Sequence, residues 1–360
     1  MLRASVDVFN KREKMRKITG LLLCTIFLLV LLLSVAAFHV APTVAFPRSS
    51  SSNGAEYWAV IVGIGRYRNP YVPLSYGDRD ANDLYEQLLL YPNWQPDHIK
   101  LLINSNATLE EINNTMINWL APREDENDIV LLYFSTHGSN HSSIYFSNST
   151  DYDYYFLSTY DSENVDDYRG PTSTIIGGTW GPTELGPRYK LDSWLDKLDS
   201  ENIVVILESC KSGGFINHLS ESGRVIVTAS NASELDYQYY DLKHSIFTYC
   251  ILETLENFKL ADVNKDRLLS MEEIFEDTTA RIELKIKTKT SDFPQGRNEQ
   301  NPQMQGAGDI ILLFRGGITI EQVIFLVLIS TVVAITVIFV LVKRRKPAAE
   351  PPLTQPEKSL

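Results

Sequence analysis

The chain has 360 residues, 44% hydrophobic and 22% charged, with a formal net charge of −12. That composition excludes a disordered or fibrous chain and is rich enough for a sizeable core. Residues 1–20 carry +4 and residues 343–360 carry +3, so the body between holds −19 and nucleic acid is not expected as a partner.

Residues 1–38 read as a signal peptide. Lys14, Arg16 and Lys17 precede the apolar run Leu21 to Phe38, and Val35-Ala36-Ala37 offers small residues for cleavage. A run of about 18 apolar residues also suits an uncleaved signal anchor. Residues 39–55, with serines at 49–52, read as a linker to a single domain over 56–316.

Within that domain, Tyr57 to Ile64 ("YWAVIVGI") is a short apolar run ending near glycine, as a buried parallel strand requires. Asp78 to Leu89 places Ala81, Leu84, Tyr85 and Leu88 at helical spacing, with Asp78 as the expected cap. His98 to Ile103 reads as a strand. The segment from Thr108 begins with a capping box, Thr108 with Glu111, and continues as a helix. Asp128 to Ser135 reads as a strand buried on both faces. Gly138 to Tyr189, rich in Tyr, Asp and Gly, is expected to be irregular. Helix Leu191 to Leu198 then leads into strands "NIVVILE" and "RVIVTAS". A helix from Phe247 to Phe258 and a last strand from Gly308 to Phe314 follow. Strands alternating with helices predict an α/β fold with a mainly parallel sheet covered on both faces.

Past the domain, residues 320–342 form a predicted transmembrane helix, because Val323 to Val342 carries no charge. Lys343-Arg344-Arg345-Lys346 follows at once and holds the short tail, 343–360, in the cytoplasm. The expected topology is single-pass, with the body outside the cell or in a lumen. Sequons at Asn106, Asn113, Asn140, Asn148 and Asn231 are compatible with that placement. Of three cysteines, Cys24 lies in the signal; Cys210 and Cys250 allow one bridge or two free thiols.

Catalytic groups belong outside the carboxyl ends of parallel strands. Two strands end there in reactive residues: "IVLLYFS" delivers Thr136, His137 and Gly138, and "VVILE" delivers Ser209 and Cys210. A lone cysteine or histidine is more often a core residue. An imidazole and a thiol on one rim, each followed by a glycine turn, point instead to nucleophilic catalysis. The backbone N–H groups of Gly138 and Cys210 are candidate oxyanion donors, and Gly138 is expected to admit substrate close to the main chain.

"YFSTHG" with "ESCKSGG" resembles the paired signatures of the legumain family of cysteine peptidases. More broadly the chain resembles the caspase-like clan, which includes metacaspases and the catalytic subunit of GPI transamidase. "AVIVGIGRY" and "PLSYGDRDANDLYEQL" are similar to the opening of metacaspase domains, and "VTASNASELDYQYYD" to the legumain segment lining the substrate pocket. "HSIFTYCILETL" and "NPQMQGAGDIILL" are similar to the closing helix and last strand of caspase-like domains. The resemblance spans about Tyr57 to Phe314. It implies a caspase-like three-layer αβα sandwich of about six strands, a His137–Cys210 dyad, and substrate contacts from Glu208, Asp241, Asp80 and Ser230. His137 and Cys210 are 73 positions apart, against about 50 in the caspase signature. The Tyr-rich stretch accounts for the excess.

The implied activity is a cysteine endopeptidase acting on proteins or peptides, with no cofactor in the chemistry. A transpeptidase or transamidase shares the same dyad, and a catalytically silent surface binding protein shares the same fold. Legumains use an arginine in the asparagine pocket, and Tyr76 stands at that position here. A pocket with Glu208, Asp241 and Asp80 and no matched cation predicts cleavage after Arg or Lys, with Asn as runner-up.

A second motif, Asp262 to Glu273, matches an EF-hand loop. Asp262, Asn264 and Asp266 stand at positions 1, 3 and 5, the Leu268 carbonyl at 7, Ser270 at 9 and Glu273 at 12. Arg267 occupies the position normally glycine. The expectation is a structural calcium ion; the plainer alternative is an acidic loop that caps the next helix.

Overall fold

The computed structural model describes residues 54–70, 74, 76–142, 153–162, 175–177, 189–288 and 299–315, with isolated positions between 328 and 336. The chain divides into Met1–Ala55 and Glu56–Leu360, and all that follows concerns the second unit. The predicted signal, the apolar run from Val323, the tail and most of the Tyr-rich stretch lie outside the described residues. Among the described residues no helix is long and apolar enough to cross a membrane.

The strands in chain order are β1 (Tyr57–Gly63), β2 (Ile99–Ile103), β3 (Ile129–Ser135), β4 (Gly138–Ser142), β5 (Asp153–Ser158), β6 (Ile175–Gly177) and β7 (Tyr189–Lys190). Then come β8 (Asn202–Glu208), β9 (Arg224–Thr228), β10 (Gln238–Tyr239), β11 (His244–Ser245), β12 (Leu268–Ser270), β13 (Gln303–Gln305) and β14 (Ile311–Phe314). The main helices are α1 (Gly77–Leu88), α2 (Leu109–Asn114), α3 (Leu191–Leu195), α4 (Ile216–Leu219), α5 (Ile246–Glu256), α6 (Phe258–Ala261) and α7 (Met271–Thr288).

Six strands form the central sheet in the order β13-β9-β8-β3-β1-β2. All its pairings are parallel except β13 with β9. A parallel sheet must be covered on both faces, so its central strands are apolar on both. β3 shows this residue by residue. Val130, Leu132 and Phe134 pack into a cluster with Ile112, Met116 and Leu120, and with Trp194 and Leu195 of α3. Alternation sends Tyr133 to the opposite face, where its hydroxyl meets Thr248 of α5 at 2.6 Å. That second layer is α1, α5 and α7, each in contact with the next. Truncating the fully buried Phe134 to Ala would cost roughly 3–5 kcal/mol.

The structure departs from expectation at four places. Gly138 to Tyr189 is not irregular throughout, because β4, β5, β6 and β7 form a second sheet in that order. Those strands are short, and strand pairing at such lengths leaves no periodic signature. Second, the run ending at Phe314 does not enter the central sheet: β14 pairs antiparallel with β12, and β13 supplies the sixth central strand. Third, the cap of α1 is Tyr76 rather than Asp78, with no side-chain cap bond. Asp78 instead accepts from Asn104 Nδ2 at 2.7 Å, tying the first turn of α1 to the end of β2. Fourth, the helix opened by Thr108, whose hydroxyl does accept from the Glu111 N–H at 3.2 Å, continues as a π-helical turn over Thr115–Leu120.

Candidate active site

β3 and β8 lie side by side at the middle of the sheet, and their register runs to Ser135 opposite Glu208. The ladder continues one step further, with the Thr136 N–H donating to the Glu208 carbonyl at 3.2 Å. His137 and Cys210 each follow two residues past the Ser135–Glu208 pair, one at the tip of each strand. Neighbouring parallel strands are about 4.8 Å apart.

Gly138 is what lets the two tips close. A Cβ there would overlap the Cys210 carbonyl oxygen and the Ser209 side chain. Its close neighbour is thus the Cys210 backbone, where substrate had been expected. The Ser158 N–H donates to the His137 carbonyl at 2.9 Å, which makes Gly138 opposite Leu157 a non-hydrogen-bonded pair. The Gly138 N–H consequently points away from β5.

His137 is held through its main chain. Its N–H donates to the Tyr67 hydroxyl at 2.8 Å, and its carbonyl accepts from the Thr136 hydroxyl at 3.0 Å. The Tyr67 and His137 rings lie 5.2 Å apart. Tyr67 comes from the loop after β1 and is buried, which keeps its phenol protonated.

Cys210 is a half-buried free thiol whose sulfur accepts from the Asp236 N–H at 3.3 Å. Burial, and after it the Asp236 charge, pushes the thiol up to about 11. At neutral pH the resting group is therefore S–H. The next residue, Lys211, has φ 59, so the left-handed position of the turn falls on a lysine and not on a glycine. Its N–H donates to the Glu234 carbonyl at 2.7 Å and its ammonium to Asn140 Oδ1 at 2.7 Å. These two bonds offset a conformation costing roughly 1–2 kcal/mol. Ser230, fully buried, completes the turn: its hydroxyl donates to the Ser209 carbonyl at 3.1 Å, and its N–H to Ser212 Oγ at 3.2 Å.

Below the thiol lies a set of carboxyls. Glu208 Oε2 accepts from the Thr248 N–H at 3.0 Å and hydroxyl at 2.8 Å, at the start of α5. Burial, then the Asp236 charge, holds Glu208 well above the carboxylate range. Asp236 is half-buried, accepts from Gln300 Nε2 at 3.0 Å and is likewise raised, chiefly by burial. The Asp236 charge thus adds to burial in raising Glu208. Asp80 is fully buried, accepts from Ser135 Oγ at 3.0 Å, and meets His244 Nδ1 at 2.8 Å. Burial raises it to about 6 against the lowering effect of His244. His244 Nε2 lies 3.1 Å from Asp83, so the imidazole is gripped between two carboxyls.

Of the residues expected at the site, His137, Gly138, Cys210, Glu208 and Ser230 come together at the β3–β8 tips, and Asp80 joins them through Ser135. Asp241 is exposed, on the turn between β10 and β11. Arg66 and Arg79 face Asp78 and Asp83, at 3.7 and 3.4 Å. Sequence reasoning missed Asp236, Tyr67, His244 and Gln300. Asp236 stood within the segment compared with the legumain pocket, but nothing local separates it from Asp241 five residues on. The loop Asp262–Glu273 lies at the other end of the sheet, where Tyr57 opens β1 and donates its hydroxyl to the Ile311 carbonyl of β14 at 3.2 Å.

Protein GSU0716 of Geobacter sulfurreducens has a crystal structure similar to this chain, at 14% identity and a TM-score of 0.47, with 73% of this chain and 98% of that one covered. No curated protein matches the chain. The family model for the caspase domain matches residues 56–308, which takes in both strand tips and the carboxyls behind them. On that match, over more than half its length, the chain belongs to the caspase-domain family of cysteine-type peptidases.

Proposed function

We propose that the protein is an endopeptidase in which His137 and Cys210 form the catalytic dyad. The observation that supports this reading is the β3–β8 register, which ends at Ser135 opposite Glu208, two residues before His137 and Cys210. A resting thiol pushed up to about 11 must lose its proton to the imidazole as it attacks. The sulfur then bonds to the substrate carbonyl carbon, and the oxyanion takes up the N–H groups of Gly138 and Cys210. Collapse breaks the C–N bond, His137 returns the proton to the leaving amine, and water hydrolyses the thioester.

The preferred residue before the cleaved bond is Arg or Lys. Glu208, Asp236 and Asp80 lie close together and are all raised by burial; among the described residues His244 pairs with Asp80, and no Lys or Arg forms an ion pair with any of the three. A cationic side chain supplies the missing partner, and near such carboxyls it gains several kcal/mol over a neutral one, to order of magnitude. Ser230 acts by holding the Ser209 carbonyl. The motif pair "YFSTHG" and "ESCKSGG" favours a legumain-type relation. The uncharged run Val323 to Val342 with its basic flank favours a membrane anchor with this domain outside the cytoplasm.

Fluorogenic peptides differing only in the residue before the cleaved bond test the reading. Turnover of Arg and Lys peptides that Cys210→Ala abolishes is the expected result. Faster cleavage after Asn would replace the basic preference, and full activity of the Cys210 variant would remove the dyad.

A further inference from the structure

We infer that the loop Asp262–Glu273 is a calcium site, placed to lock the β12–β14 ribbon onto the end of the sheet opposite the catalytic rim. The key group is Asp262. Its side chain is 8% exposed, and Oδ2 accepts from the Arg267 N–H at 3.1 Å, which directs the carboxylate across the loop. Oδ1 of the same carboxylate is buried with no hydrogen-bond partner. A buried carboxylate oxygen without a donor is costly, and a cation satisfies it.

The other donors are in the loop order that a calcium ion needs. Asn264 Oδ1 accepts from the Asp266 N–H at 2.9 Å and Asp266 Oδ1 from the Leu268 N–H at 2.8 Å, so both side chains fold back onto the loop. The Arg315 N–H donates to the Arg267 carbonyl at 3.0 Å, which makes Leu268 opposite Phe314 a non-hydrogen-bonded pair. The Leu268 carbonyl therefore points away from β14, to the side of its own N–H and of Asp266. That is where position 7 of a calcium loop presents its oxygen. Arg267 takes φ 71, so the backbone already has the left-handed form that the usual glycine provides. All the donors are oxygens, the chemistry of a hard cation.

Glu273 is the part that must move. Its Oε2 accepts from the Ser270 N–H at 3.1 Å and hydroxyl at 3.0 Å. Among the described residues no three acidic, His or Cys side chains are already gathered as a ligand set. Capture of the ion thus exchanges the Ser270 cap for a bidentate bond and closes the loop. That cost puts the affinity with the weak extracellular sites, about 10⁻⁴ to 10⁻³ M. The consequence is structural. β14 is tied to the body by Tyr57 and by Asn93 Nδ2 and Trp94 Nε1, which donate to the Leu312 carbonyl at 2.9 and 3.2 Å. An ion that holds β12 also holds this ribbon.

The test is thermal unfolding of the full-length protein, purified in mild detergent, with about 20 mM calcium chloride, the same concentration of magnesium chloride, or chelator. Calcium should raise the melting temperature by roughly 5 °C once in large excess over Kd. Asp266→Asn keeps the acceptor that the Leu268 N–H uses and removes only charge, so it should fold and lose most of the shift. Glu273→Gln should lose it too. Equal melting in calcium and chelator overturns the proposal, as does a shift that both variants retain or that magnesium matches.

Discussion

The main-chain N–H of Asp236 donates to the sulfur of Cys210 at 3.3 Å, while the Asp236 carboxyl shares its site with Glu208. One residue thus joins Cys210 to the acidic wall. Charge in that wall and the proton on the thiol are consequently coupled, as the Asp236 charge helps to raise Cys210.

Loss of either dyad member should stop the chemistry without unfolding the domain. Cys210→Ala and His137→Ala should each lower kcat/KM by roughly 10⁴ or more, and the double variant should be little worse than either. Melting temperatures near that of the parent would confirm that the loss is chemical. Cys250, fully buried in α5, should be replaceable by Ala or Val with activity kept.

The thiol is raised, so it holds its proton at neutral pH. Alkylation by iodoacetamide should be slow at pH 7 and quicken about tenfold per pH unit toward the group's value near 11. A labelling rate already flat across pH 6 to 8 would mean a resting thiolate–imidazolium pair, contrary to this geometry.

Substitution of Glu208 tests the proposed specificity and the stability together. Its carboxyl is raised, so the folded state keeps a proton that the unfolded chain releases. That contribution is complete below the unfolded carboxylate value of about 4.3 and is lost as pH rises through the raised value. Glu208→Gln removes the ionisation. Its melting temperature should therefore fall less than the parent's between pH 5 and 8, while kcat/KM for Arg peptides drops roughly 100-fold. A variant that melts lower at every pH and keeps its Arg preference would contradict both points.

Gly214 has no room for a side chain, because a Cβ there would overlap the Tyr155 ring of β5. Gly214→Ala should cost roughly 1–3 kcal/mol and displace β5 from the turn after Cys210. Denaturant unfolding measures the cost. A second substitution, Tyr155→Leu, should recover part of it if the clash is the cause.

Local pattern was enough for β1, β3, β8 and β9, because a strand buried on both faces must be almost continuously apolar, and the edge strand β2, with Lys100 exposed, was legible as a short apolar run. Such strands end where the apolar run ends, so His137 and Cys210 could be placed at strand tips before any pairing was known. The capping box at Thr108 was legible for the same reason, since its partner is three residues away.

What the sequence could not decide depended on contacts across long separations. β4–β7 are too short to show a period, and β14 differs from a central strand only in pairing with β12. Asp236 and Asp241 are alike in sequence; only the β8–β9 tips, which bring Asp236 against Cys210, tell them apart. His244 meets Asp80 across 164 residues. Residue type and spacing pointed to His137 and Cys210 as candidates. Only packing decided which carboxyls share its wall, because burial and mutual repulsion are properties of a place in the fold and not of a residue.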